Sequence, residues 1–217
     1  MAAIGITGGI STGKTSFTEC LREIFAERTP QLATASSSGG ERGVPASAIF
    51  FDADVAAREL ADRDPEVRGL IEKEFGESVY SSGDLNREAI RTIVFADAEK
   101  KRALEQILHP RIRRQWSLEA ESWRNSTDLF FADIPLLYET GGETLCDSVV
   151  VVACSPSVQL ERLVARTQLD PSAAEQMIRS QMPLAEKIRR ADHIIWNNGA
   201  RAVVAAQAGL LATLWQQ

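Results

Sequence analysis

The sequence has little with which to build a cross-linked or membrane-bound protein. Only three cysteines occur, Cys20, Cys146 and Cys154. Their odd number and the absence of C-x-x-C spacing exclude a disulfide framework and a zinc knuckle, and they read as small buried apolar side chains. No run approaches the ~18 apolar residues of a membrane helix, and the first residues lack a basic segment, so no membrane association is expected and the cytoplasm is the expected compartment. An excess of positive charge is also missing. The formal net charge is −6, which disfavours a partner such as duplex nucleic acid, whose binding rests on phosphate contacts. Neither an N-K-x-D string nor a D-x-x-G after a strand is present, which argues against a guanine-reading switch. No repeat of 20 to 50 residues is found.

What is present fits one α/β domain of 217 residues with 44% hydrophobic side chains. Short apolar runs at Ile4–Thr7, Ala48–Phe51, Leu129–Ile134, Ser148–Cys154 and His193–Trp196 alternate with helical periodicity. Several are apolar on both faces, the pattern of parallel strands covered by helices on each side. Helices are expected from Lys14, over Val158–Arg166, Pro171–Gln181 and Ala200–Trp215, and after the Asp64-Pro65 cap as far as Gly76. A long helical stretch from about Asp97 to Trp123 contains Pro110, and a break or kink is expected near His109. The Ser/Gly/Pro-rich segment of about 28–47 reads as an exposed, mobile insertion.

The chemistry begins at Gly8-Gly9-Ile10-Ser11-Thr12-Gly13-Lys14-Thr15, followed by Ser16. This is G-x-x-x-x-G-K-[ST] between a strand and a helix, the P-loop context, and a chain of this length contains the string by chance about once in a hundred cases. Backbone N–H groups at a helix N-terminus cradle the phosphates of ATP. Lys14 is expected to reach the β- and γ-phosphates, and the Thr15 hydroxyl to ligate Mg²⁺. Asp52-Ala53-Asp54 closes the second apolar run, where one carboxylate could serve as base toward an acceptor hydroxyl or cap the next helix. Asp133, ending Leu-Phe-Phe-Ala-Asp, is either a magnesium-site residue or a loop aspartate.

Together these residues resemble the dephospho-coenzyme A kinase family. The resemblance rests on the P-loop, Asp52-Ala53-Asp54 with Arg58, Leu85-Asn86-Arg87, Phe95, Leu104, His109-Pro110, Pro135-Leu136-Leu137-Tyr138-Glu139, Gln181, Ala191-Asp192 and Asn197-Asn198-Gly199. It implies a three-layer α/β P-loop kinase fold with a five-stranded parallel sheet, a helical acceptor-binding subdomain and a helical lid. The core would comprise about 1–60 and 127–217, the acceptor subdomain about 61–126 and the lid about 162–190. The implied reaction is ATP-dependent phosphorylation of the ribose 3′-hydroxyl of dephospho-coenzyme A, the last step of coenzyme A synthesis, with no obligate protein partner. By position Asp54 resembles the catalytic aspartate and Asp52 its neighbour. Arg87 would hold an acceptor phosphate, while His109 is either an acceptor contact or structural. Arg162 and Arg166 would stabilise charge on the transferring phosphoryl group or form a solvated face, and Asn197 resembles a residue lining the adenine site. Pro135 and Leu136 fall on the acceptor side. Three departures stand out: Ser11 where a glycine is usual, Met177 where an arginine is common and Trp196 where an aspartate is common. Another small-molecule or nucleotide kinase, or an ATP-binding homologue with impaired turnover, is the alternative reading.

Overall fold

The computed structural model describes residues 2–35, 48–80, 83–123 and 128–216. Five strands are present among them: β1 (Ala2–Gly8), β2 (Ala48–Asp52), β3 (Leu129–Asp133), β4 (Ser148–Ala153) and β5 (His193–Trp196). They form a parallel sheet in the order β2-β3-β1-β4-β5, with Ile6 of β1 in register with Asp133 on one side and Val150 on the other. All five residues of β3 are buried, and so are the last five of β4, which is why these strands show no polar alternation.

The chain divides into two compact units, Met1–Phe51 with Ala120–Gln217, and Asp52–Glu119. In the first, α1 (Lys14–Ala35) packs on α9 (Arg201–Leu214) over one face of the sheet. Their contact with the strands is a core of Ile4, Ile6, Phe17, Leu21, Val150 and Val152, extended by Phe131 against Phe25, Phe50 and Trp215. On the other face, Gly5 of β1 meets Leu137, Cys146 and Val149 so closely that a Cβ there would stand 2.7 Å from Leu137. Three further helices, α6 (Pro156–Thr167), α7 (Pro171–Arg179) and α8 (Leu184–Arg190), belong to this unit, and α8 contacts β4.

The second unit is helical: α2 (Ala53–Arg63), α3 (Pro65–Phe75), a 3-10 turn at Glu77–Tyr80, α4 (Arg87–Ala96) and α5 (Ala98–Trp123), whose last turn lies beyond the unit. Its core is Val67, Ile71, Val79, Tyr80 and Ile90, with Leu104, Ile107 and Leu108 packed against it. As expected, Asp64 caps α3, its Oδ1 accepting from the amides of Glu66 at 2.9 Å and Val67 at 3.0 Å, and Gly76 ends the helix at φ 91°. Replacing Asp64 by Ala is expected to cost about 1 kcal/mol of stability, read as a lower denaturant midpoint with an unchanged m-value.

Two expectations require correction. The helix from Lys14 runs on to Ala35, past the Arg28 at which a loop was expected to begin, and 36–47 of that insertion lie outside the described residues. Of the break or kink expected near His109, the break does not occur: α5 is continuous from Ala98 to Trp123 through Pro110. Proline removes the amide that would donate to the Gln106 carbonyl, and the loss of that one bond does not end a helix of 26 residues.

Candidate active site

The strand β1 ends at Gly8, and α1 begins at Lys14, so the P-loop is the turn between them. Thr12 closes that turn by donating its amide, at 3.3 Å, and its hydroxyl, at 2.8 Å, to the Gly9 carbonyl. Gly13 is obligatory: its φ is 90°, and a Cβ would overlap the side-chain amide of Asn197. Ser11 also adopts positive φ, 59°, without being glycine. Its Oγ is buried and has no hydrogen-bond partner among the described residues. Both features oppose folding, the left-handed backbone by about 1–2 kcal/mol and the unsatisfied hydroxyl by about 1–3 kcal/mol. Ser11→Gly is therefore expected to raise stability by about 1 kcal/mol after glycine's extra unfolded-state entropy is offset, and thermal melting checks the sign.

Side chains from distant parts of the chain hold the loop from behind. Gln159 of α6 donates to the Ile10 carbonyl at 2.9 Å, and Gln181 accepts from the Ile10 amide at 3.0 Å. Asn197, 6% exposed, donates to the Thr12 carbonyl at 2.9 Å. Arg162 donates to the Asn197 carbonyl, also at 2.9 Å. Thus Arg162 and Asn197 act on one edge of the loop, whereas Arg166, four residues further along α6, is exposed. Thr15 is exposed at the start of α1 and Ser16 half-buried.

Asp133, at the end of β3, is 4% exposed and carries two partners. Lys14 forms an ion pair with its Oδ1, and the Thr18 hydroxyl, one turn along α1, donates to Oδ2 at 2.9 Å. Two parallel neighbouring strands therefore deliver the P-loop lysine and a buried carboxylate to the same sheet edge. Beyond β3, the Pro135 carbonyl accepts from Thr7 Oγ1 at 2.9 Å, and the Leu136 carbonyl accepts from the amide and hydroxyl of Thr140.

The remaining sequence-nominated residues belong to the second unit. Asp52 is the N-cap of α2, its Oδ1 accepting from the amides of Asp54 at 2.9 Å and Val55 at 3.0 Å. Asp54 and Arg58 are exposed on α2. Arg87 is ion-paired with Asp62, whose other oxygen accepts from the Leu85 amide at 3.2 Å. His109 borders a shallow depression along α5 with Arg102, Glu105, Gln106 and Pro110. Burial lowers its imidazole pKa, while Glu105 pulls it upward.

Three residues of the P-loop's surroundings escaped the sequence reading. Thr18 was detectable as a polar residue four after Lys14 on the same helix face. Gln159 and Lys187 have no such local sign. Lys187, wholly buried, donates to the Gly8 and Pro135 carbonyls and pairs with Glu139. Of the three departures, Trp196 is 45% exposed, with its backbone amide and carbonyl both bonded to the Gln207 side chain. The cations near Met177 are engaged locally, Arg179 with Glu175 and Arg189 with Glu186.

Comparison with known proteins identifies the family. The family model described as dephospho-CoA kinase matches residues 33–202. A dephospho-CoA kinase of Bacillus cereus is 33% identical over 98% of this chain and 96% of its own, and one of Listeria monocytogenes 37% identical over 90% and 88%. The crystal structure of TT1252 from Thermus thermophilus superimposes with a TM-score of 0.67 at 30% identity, covering 98% of this chain and 97% of that one. The alignment with the Bacillus cereus protein takes in the P-loop as well as both units, the family model covers the chain beyond the P-loop, and the chain belongs to the dephospho-CoA kinase family.

Proposed function

We propose that the protein transfers the γ-phosphoryl group of ATP to the ribose 3′-hydroxyl of dephospho-coenzyme A, giving coenzyme A and ADP. The observation that carries this reading is the extent of the relationship. The Bacillus cereus dephospho-CoA kinase aligns over 98% of the chain, which takes in the helical unit Asp52–Glu119 as well as the P-loop. A P-loop alone is common to kinases with many acceptors, and the acceptor is chosen elsewhere.

In this reading the amides of Gly8 to Thr15, with Ser16 behind them, receive the phosphates, and Lys14 exchanges its Asp133 partner for the β- and γ-oxygens. Arg162 and Arg166 supply positive charge on the nucleotide side, and Asn197 borders the base. Asp54 receives the proton of the attacking hydroxyl, with Asp52 holding the first turn of α2 beneath it. Arg58, Arg87, His109, Pro135 and Leu136 are assigned to the acceptor, Arg87 offering a planar donor fork suited to phosphate.

Mg²⁺ suits the oxygens available. Among the described residues no group of three or more His, Cys, Asp or Glu could cage a metal. An ion that keeps several waters and takes only one or two protein oxygens beside the nucleotide's own fits this site, with Thr15 and Asp133 as those oxygens. Bound there, it would neutralise charge on the phosphates. Among the described residues, no helix is long and apolar enough to cross a membrane.

The test is coenzyme A formation by purified protein from dephospho-coenzyme A, ATP and Mg²⁺, followed chromatographically. Tight ATP binding with no coenzyme A formed, and phosphate passed instead to another small-molecule acceptor, would overturn the acceptor assignment.

A further inference from the structure

A lysine ammonium has three donors and no acceptor, and burying it is unfavourable unless each donor is met. Lys187 on α8 is 0% exposed and meets this requirement: Gly8 O at 3.2 Å, Pro135 O at 3.0 Å and Glu139 Oε1 at 2.9 Å. The choice of acceptors is informative. Gly8 is the first residue of the P-loop, and Pro135 stands two residues after Asp133. One ammonium therefore ties the strand that delivers Lys14 to the strand that delivers its carboxylate partner. Glu139 joins the same knot, its Oε1 also accepting from the Met182 amide at 3.0 Å. Just before it, Gln181 reaches the Ile10 amide. The segment from Gln181 to Lys187 thus grips the P-loop at its first and third residues. Burial pushes the Lys187 pKa down, the hydrogen bond and charge of Glu139 push it up, and nearby Lys14 pushes it down. The bond to the Gly8 carbonyl places this second cation at the start of the phosphate loop.

We propose that Lys187 is a positioning residue for phosphoryl transfer, holding the phosphate loop and the Asp133 strand end at a fixed separation. The proposal rests on the phosphotransfer reading given above. Lys187 reaches the nucleotide only through the loop it holds, so its loss should disturb the alignment of the reacting groups on the nucleotide side and leave acceptor affinity alone. Purely structural anchoring of α8 would do something else: fewer folded molecules, each with normal turnover.

Lys187→Met keeps an unbranched apolar stem as far as the Cε position and removes the charge and all three donors. Per folded molecule, kcat is expected to fall about 10- to 100-fold, the effect of a roughly 1 Å misplacement, with KM for dephospho-coenzyme A within about threefold of the parent. A lower melting temperature with unchanged kcat and unchanged KM for ATP would overturn the proposal. Should Lys187→Met not fold, Glu139→Gln decides. It keeps an acceptor for the Met182 amide but removes the counter-charge, and a drop in kcat of about threefold or more is expected, whereas parental kcat would overturn the proposal. If the unaltered protein forms no coenzyme A, it is the acceptor reading that fails. Lys187 is then judged by calorimetry with a non-hydrolysable ATP analogue, where Lys187→Met should weaken binding about fivefold or more and an unchanged Kd would overturn the role.

Discussion

Lys14→Ala is expected to lower turnover by about 10³-fold or more, equivalent to roughly 4 kcal/mol of barrier, because it removes the charge that follows the migrating phosphoryl group. Its consequences for folding are a separate matter. Lys14 is the ionic partner of Asp133, a carboxylate only 4% exposed. With Lys14 gone, Asp133 keeps the Thr18 hydroxyl as its side-chain partner among the described residues, and a buried charge stripped of its counter-ion destabilises the fold. The single variant should therefore lose stability, by about 1–3 kcal/mol after discounting for the partial exposure of the pair. Adding Asp133→Asn removes the uncompensated charge while keeping an oxygen for Thr18. The double variant is expected to recover most of the lost melting temperature and none of the lost activity. Recovery of activity alongside stability would mean that Lys14 serves the fold and not the phosphate.

The parts of this site that could be read from the sequence are those where chemistry and spacing are local. Gly8 to Thr15 form a contiguous string whose glycines, lysine and hydroxyl are dictated by one ligand, and the structure places it between β1 and α1 as its context required. The strands were visible because a buried parallel strand has no polar face, as in the five buried residues of β3. The cap of α3 was visible because Asp-Pro carries its own stereochemistry. The contacts that brace the P-loop from behind were not, even where the residue itself, as with Asn197, had been singled out. Lys187 and Gly8 are 179 residues apart, Asn197 and Thr12 185, and Gln159 and Ile10 149. Nothing near any of these side chains announces its acceptor, and a lysine in Ala-Glu-Lys-Ile-Arg-Arg looks like one more solvated charge on a short helix. Pro110 failed as a breaker because a single missing amide donor is a small loss inside a helix of 26 residues, and a local steric rule does not weigh the rest of the helix against it.

The Asp52-Ala53-Asp54 pair is where sequence and structure together sharpen an experiment. From spacing alone either aspartate could cap the following helix, and capping would account for a carboxylate at that point without any catalytic role. The structure gives the capping bonds to Asp52, whose Oδ1 receives the amides of both Asp54 and Val55. Asp54 lies exposed in the first turn, where its charge contributes at most about 0.3–1 kcal/mol through the helix dipole. The two substitutions should accordingly separate. Asp52→Ala is expected to lower stability by about 1 kcal/mol through loss of the cap. Asp54→Asn is expected to melt within a few degrees of the parent and to bind ATP through the P-loop. If Asp54 takes the proton of the acceptor hydroxyl, the same change slows the chemical step by about 10²- to 10⁴-fold, or 3 to 5 kcal/mol of barrier, because asparagine keeps the shape and loses the basic oxygen. Single-turnover kinetics read that step directly, free of product release. A fully active Asp54→Asn enzyme would move the base to Asp52 or Asp133, or leave phosphoryl transfer to positioning and phosphate electrostatics alone, as a loose transition state with little bond formation to the nucleophile permits.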